Sequence, residues 1–311
     1  MKPLRAGVVG VGYLGRFHAQ KYAQLDDVEL VGVFDADAAR AATVARELGC
    51  AVFDRRERLF GEADVVSIAA NTPAHFDLVR EALEGGCHVF VEKPIAESSE
   101  QAKLLVQKAA ASGCKLQVGH IERFNPALVA ALEHVDNVRF IECHRLAAFK
   151  HRGADVDVVL DLMIHDLDII LAIVGSQPRA VSAIGLPVLT DKVDIANARI
   201  EFDNGAVANV TASRVSTSSQ RKLRVFQSKQ YMGVDFGRIS VQRVTRSENW
   251  DGHEDPLEIE ETHYEKGDAL LAEIGSFVAA VRDDAPVVVS GADGQRVIEL
   301  AELILERMAN R

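Results

Sequence analysis

Cysteine is scarce in this chain: four residues, Cys50, Cys87, Cys114 and Cys143, are spread over 311 positions. No two form a C-x-x-C pair and none has histidine at a zinc-ligand spacing, which excludes a disulfide scaffold and a local metal motif. Free thiols in a reducing cytoplasm, without a metal, are the expectation. Apolar runs fall short of the ~20 residues a membrane-spanning helix needs. A strand-like run opens at residue 5, so neither a membrane span nor a signal peptide is expected. Net positive charge is missing too: 35 Lys and Arg stand against 46 Asp and Glu, a formal net charge of −11. That balance excludes sequence-independent binding to nucleic acid or to an anionic membrane. It leaves room for a small anionic ligand held by a few local cations. Repeats and low-complexity tracts are absent.

What is present is ordinary globular composition, 48% hydrophobic and 26% charged, in a chain long enough for two domains. Short apolar runs at residues 5–9, 28–34, 51–53, 65–69, 88–91 and 115–118 alternate with helical patterns at 14–25, 37–48, 74–84 and 98–111. Continuous apolar strands separated by helices predict an α/β domain over residues 1–119, a doubly wound parallel sheet. Beyond it come a helix at 125–134, a strand-like stretch at 138–149 and a greasy helix at 158–174. Alternating segments follow at 181–187, 195–202, 206–213, 222–226, 231–235, 239–244 and 257–264, then helices at 268–281 and 293–308. Asp203-Asn204-Gly205 is a tight-hairpin signal, and residues 120–311 are expected to form an α+β domain with a mostly antiparallel sheet. Loops are expected at 216–220 and 247–255.

Gly10-Val-Gly12-Tyr13-Leu14-Gly15 follows the first strand and opens the first helix, the setting in which glycines bring a pyrophosphate onto a helix N-terminus. Asp35 ends the second strand 20 residues past Gly15, where an acid meets the ribose of a Rossmann-bound dinucleotide. Its carboxylate favours NAD over NADP, with Arg40 as the group that tempers the preference. Asn71, Thr72, Pro73 and His75 after the fourth strand, and Glu92-Lys93-Pro94 at the carboxyl end of the fifth, complete the cofactor-side candidates. His18 and His75 read first as local hydrogen-bonding groups.

On the greasy helix, Asp161, His165 and Asp168 fall within about 60° of one another at 100° per residue. Titratable groups on a buried helix are costly unless paired or used. One reading is proton transfer by His165, with Asp161 orienting substrate or imidazole and Asp168 supporting from one turn below; the other is a buried structural network. His120, Glu122, Arg123 and Asn125 open the second domain. Arg145, Lys150, His151 and Arg152 can meet an anionic substrate, or belong to a solvated basic loop.

With the glycine loop, Asp35, Glu92-Lys93-Pro94 and Asp161-x-x-x-His165 in view, the chain resembles the glucose–fructose oxidoreductase/inositol dehydrogenase (Gfo/Idh/MocA) family over essentially its whole length. The resemblance implies that Lys93 hydrogen-bonds substrate and cofactor, that His165 is the acid/base, and that Asp161 lies beside the reacting hydroxyl. It also implies a homodimer or homotetramer packed through the C-terminal sheet. Many members carry glycine two residues after the motif Asp, where this chain has Met163. Within the family, residues 118–126 and 219–226 look most like bacterial members that oxidise the 3-hydroxyl of UDP-N-acetylglucosamine in diamino-sugar lipid A synthesis. The expected substrate ligands are Lys93, Arg123, Asn125, Arg145, Lys150, Arg152, Asp161 and His165. Oxidation of a free sugar or an inositol is the neighbouring alternative. A non-catalytic NAD-sensing regulator is the distant one, and it has no need of Lys93, Asp161 and His165 together.

Overall fold

The computed structural model describes residues 2–150, 153, 156–247 and 256–309. Its first part alternates strand and helix: β1 (Leu4–Val9), α1 (Tyr13–Tyr22), β2 (Val28–Phe34), α2 (Ala38–Leu48), β3 (Ala51–Val52), α3 (Arg56–Glu62), β4 (Val65–Ile68), α4 (His75–Glu84), β5 (His88–Glu92), α5 (Ser99–Ser112) and β6 (Leu116–Gly119). The rest comprises α6 (Pro126–Leu132), β7 (Phe140–Leu146), α7 (Ile164–Val174), β8 (Pro178–Leu186), β9 (Ile195–Phe202), β10 (Val207–Ser213), β11 (Gln220–Gln227), β12 (Gln230–Asp235), β13 (Ser240–Arg246), β14 (Leu257–His263), α8 (Ala269–Arg282) and α9 (Gly291–Ala309).

Strands β1 to β6 are parallel, in the order β3-β2-β1-β4-β5-β6. The order reverses beside β1, and ligands bind at the carboxyl ends of the strands at such a switch point. Every residue of β4 is buried, as a parallel strand covered on both faces requires. Asp37 caps α2 by accepting from the Ala39 and Arg40 amides at 3.1 Å, and Ser98 caps α5 by accepting from the Gln101 amide at 3.2 Å. The short α3 escapes the sequence pattern because only Leu59 and Phe60 of it are buried, too few to set a period.

Ala6, Val8, Val33, Val65 and Phe90 from this sheet share one buried cluster with Ala19 and Tyr22 of α1, and with Ile274, Phe277 and Val278 of α8. Phe277 meets Phe90 edge-on with ring centroids 5.9 Å apart. Burying a side chain of that size contributes about 1.5–3 kcal/mol. Lys21 reaches Asp268 at 2.8 Å and Arg282 pairs with Asp27, fastening both ends of α8. Two compact units result: Met1–Ile121 with Asp268–Ile298, and Glu122–Gly267 with Glu299–Arg311. The division expected from the sequence, 1–119 and 120–311, assigns α8 and the start of α9 to the wrong unit. An apolar helical stripe shows that a face is buried without naming the sheet that buries it.

The second unit is built on an eight-stranded sheet, β14-β13-β12-β11-β7-β10-β9-β8. Its neighbours are antiparallel except β7 and β10. Burial alternates along β9 and β10, with Ala196, Ala198, Ile200, Phe202, Ala208, Val210 and Ala212 turned inward. The expected hairpin joins these two strands: Gly205 has φ +81°, and its amide donates to the Phe202 carbonyl at 2.9 Å. Helix α7 is buried on nearly every side and packs on β7. A π-helical turn, Val159–Met163, precedes it and lies against β10. The helix expected over 158–174 is therefore regular only from Ile164, and a wider turn of this type often marks a functional position. Among the described residues no helix is long and apolar enough to cross a membrane.

Candidate active site

The glycine loop leaves β1 through Gly10, whose φ of +81° and close approach to the chain (a Cβ would meet the Ala70 nitrogen at 2.8 Å) leave no place for a side chain. Gly15 is buried in α1, where a Cβ would fall on the Gly10 carbonyl oxygen. Gly12, the N-cap of α1, faces open space, with nothing within 4 Å of a Cβ. No side chain caps this helix and no acid stands in its first turn, so its amides and positive end suit a pyrophosphate. Tyr13 and Leu14 are exposed on that turn. Asp35 steadies the loop. Its Oδ2 accepts from the Val11 amide and its Oδ1 from the Asp37 amide, both at 2.8 Å. Half-exposed Arg40 lies over the carboxylate, Nη1 at 3.2 and 3.3 Å from the two oxygens.

Lys93 leaves the carboxyl end of β5 between Glu92 and Pro94, and the Lys93–Pro94 peptide is cis. Glu92 is held by a buried chain that the sequence shows only in part. His18 Nε2 lies 2.9 Å from Glu92 Oε1, His18 Nδ1 lies 3.1 Å from Ser67 Oγ, and Ser67 Oγ lies 3.0 Å from the Tyr22 hydroxyl. A carboxylate can only accept, so one direction satisfies every member with neutral His18: Tyr22 donates to Ser67, Ser67 to His18, His18 to Glu92. Burial opposes the charge of Glu92, but His18, Lys93 and His75 outweigh it and hold the carboxyl below its ordinary value.

The sequence places His75 among the cofactor ligands, and the structure does not. Its Nδ1 lies 2.7 Å from the Pro94 carbonyl and its Nε2 3.0 Å from the Ala70 carbonyl, so each ring nitrogen faces a backbone oxygen, and the neutral ring donates to one of them. His75 instead joins the loop after β4 to the Lys93 turn. Burial pushes its imidazole down, against the pull of the two carbonyls and Glu92. Asn71 and Pro73 stay exposed at the end of β4, with Thr72 half-buried between them.

In the second unit, Asp161 on the π-helical turn and His165 on the first turn of α7 are both half-buried. Other groups near them differ from expectation. Asp168 is buried and accepts from Arg123, Nε at 2.7 Å and Nη2 at 3.1 Å, so it pairs with that guanidinium instead of supporting His165. Arg145, 4% exposed, grips Asp166 through Nε at 3.0 Å and Nη2 at 2.9 Å, and Glu122 through Nη1 at 2.9 Å. Burial pushes the Asp166 carboxyl up, and Arg145 pulls it back. Arg145 is thus neutralised and enclosed within the unit, which removes it from the substrate ligands, while Arg123 is half-buried and tied to Asp168 through Nε and Nη2. Asn125 caps α6, its Oδ1 accepting from the Ala127 amide at 3.0 Å. Lys150 remains exposed, and Arg152 lies outside the described residues. Asp166 is absent from the sequence-based candidates; an extra acid in an apolar helix was its signal.

Residues 4–120 match a family model described as "Oxidoreductase family, NAD-binding Rossmann fold", and residues 138–232 match the GFO/IDH/MocA C-terminal domain. Over 299 residues the chain is 41% identical to UDP-N-acetylglucosamine 3-dehydrogenase of Acidithiobacillus ferrooxidans, covering 96% of this chain and 95% of that one. A solved structure of UDP-N-acetylglucosamine 3-dehydrogenase GnnA from Acidithiobacillus ferrooxidans aligns at TM-score 0.93 and 40% identity, covering 100% of this chain and 99% of the other. Inositol 2-dehydrogenase of Rhizobium meliloti is 28% identical, covering 99% of this chain and 98% of its own. Similarity at this level over nearly the full length makes the chain a member of the GFO/IDH/MocA oxidoreductase family, with an NAD-binding Rossmann fold in its first unit.

Proposed function

We propose that the chain oxidises the 3-hydroxyl of UDP-N-acetylglucosamine to a ketone, with NAD as the oxidant. One observation carries the proton-transfer part of this reading. On and just before α7, Asp166 and Asp168 are sealed in ion pairs with Arg145 and Arg123, while Asp161 and His165 keep partial exposure. A purely structural network would have enclosed all four. The substrate follows from the relative that is 41% identical.

Bound NAD supplies the acceptor for the hydride that leaves carbon 3. Lys93 donates a hydrogen bond to the reacting oxygen, Asp161 orients the hydroxyl, and His165 accepts its proton and later returns it to water. The balance is alcohol plus NAD⁺ to ketone, NADH and one proton. We assign the diphosphate to Lys150 and to Arg152. Exposed Ile184 and Leu186 on β8 and Leu257 and Ile259 on β14 support assembly into a homodimer or homotetramer through the C-terminal sheet. Four free thiols support a cytoplasmic setting.

The test compares kcat/KM for UDP-N-acetylglucosamine, free N-acetylglucosamine and myo-inositol. The nucleotide sugar is expected to lead, with KM rising as salt screens its diphosphate. A higher kcat/KM for myo-inositol or the free sugar would overturn the substrate while leaving the chemistry in place. Cofactor choice is a separate measurement. Because Asp35 repels a 2′-phosphate, NAD is expected to bind about tenfold or more tightly than NADP, a difference of ~1.4 kcal/mol. Arg40→Ala should widen the gap, since it removes the one cation over that carboxylate among the described residues. Equal affinities in the parent would contradict the role given to Asp35.

A further inference from the structure

Arg214 follows β10 directly and is 4% exposed. A buried guanidinium is costly unless its charge is matched and its donors are used. Its Nη1 donates to the Gly153 carbonyl at 2.5 Å, and its Nη2 donates to the carbonyls of Val156 at 2.5 Å and Val193 at 3.4 Å. The matching charge is Asp194, 0% exposed, with Oδ1 3.6 Å from Arg214 Nε. Asp194 in turn accepts from the amides of Val188 at 2.8 Å, Leu189 at 2.6 Å and Thr190 at 2.8 Å, and from Thr190 Oγ1 at 2.9 Å. Burial opposes its charge, yet these donors hold the carboxyl down at about 2, so Asp194 stays ionised at working pH.

What this clamp holds lies against Asp161. Gly153 has φ +80°, and a Cβ there would sit 2.9 Å from Asp161 Oδ2 and 3.3 Å from Oδ1. The backbone of Gly153 is therefore a wall for the Asp161 carboxylate, and its carbonyl is anchored by Arg214. Nearby, Asp157 Oδ1 accepts from the Val193 amide at 2.9 Å, tying the start of the Asp161 turn to the loop that Asp194 organises.

We propose that Arg214, braced by Asp194, is a positioning residue for the reaction: by anchoring Gly153 it fixes the Asp161 carboxylate in the orientation that meets the reacting hydroxyl. The inference rests on the reading of Asp161 given above. A carboxylate displaced by about 1 Å is enough to lower turnover ~10–10²-fold without weakening binding remote from the reacting carbon.

The experiment measures kcat and KM with UDP-N-acetylglucosamine and NAD for Gly153→Ala, Arg214→Met, Arg214→Lys, Asp161→Asn and the Arg214→Met/Asp161→Asn pair. Gly153→Ala and Arg214→Met are expected to lower kcat ~10-fold or more with KM little changed. Arg214→Lys keeps the charge but not the planar fork and should fall between. In the Asp161→Asn background, Arg214→Met should cost nothing further, because the group it positions is gone. Equal losses in both backgrounds, or normal kcat in Gly153→Ala, would overturn the proposal. Normal kcat in Asp161→Asn alone would instead remove the role of Asp161. If Arg214→Met does not fold, Gly153→Ala carries the test, and a crystal structure of that variant should show the Asp161 carboxylate displaced. An unmoved carboxylate overturns the clamp whatever the substrate.

Discussion

His165→Asn is expected to oxidise UDP-N-acetylglucosamine ~10²–10⁴ times more slowly than the parent, with NAD affinity unchanged. The asparagine amide still hydrogen-bonds but cannot take a proton near neutral pH, so the variant isolates proton transfer from binding. Lys93→Ala is expected to fall as far for a different reason, the loss of the donor on the oxygen that develops negative charge. Neither substitution touches the groups proposed for the phosphate and ribose positions. Those are the open Gly12, the uncapped N-terminus of α1, and Asp35 with its bonds to the Val11 and Asp37 amides. Steady-state NADH production and a separate NAD titration check both halves of the expectation. Near-normal turnover in either variant would refute the role assigned to that residue. A parent that binds NAD but reduces it with no sugar would instead favour a sensor.

Arg145→Met is expected to destabilise the second unit by about 3–5 kcal/mol, because it leaves Asp166 and Glu122 buried without their shared cation. Most of this loss is the cost of stranded carboxylates, not the worth of the ion pair. Adding Asp166→Leu should therefore recover a large part of it, since Glu122 keeps Arg221 at 3.4 Å. Denaturant unfolding of the parent, the single and the double variant measures both quantities. A loss below about 1 kcal/mol in the single variant, the range of an exposed pair, would mean that Arg145 is open to solvent and available to a substrate after all.

The first unit was the more legible one, and the reasons are local. The glycine loop, the acid at the end of β2 and the alternation of apolar runs with helices are all short-range patterns, and the strands stand within one or two residues of where those patterns end. The shared, half-buried placement of Asp161 and His165 was legible for the same reason. The stripe misled at Asp168, because helical spacing reports which residues share a face and not what stands opposite. The partner of Asp168 is 45 positions away, and that of His18 is 74 positions away. Basic residues likewise carry no mark of burial, so the carboxylate partners of Arg123 and Arg145 had no signal in the sequence. The order β11-β7-β10 and the membership of α8 in the first unit depend on contacts between distant segments, which no local period encodes.

The central claim is hydride transfer from carbon 3 of the nucleotide sugar, and isotope transfer tests it most directly. The chain is incubated with NAD and UDP-N-acetylglucosamine deuterated at carbon 3, and the recovered NADH is examined by mass spectrometry. Deuterium is expected in the nicotinamide ring, with one equivalent of 3-keto product. Unlabelled NADH, or no NADH while NAD stays bound, would contradict it.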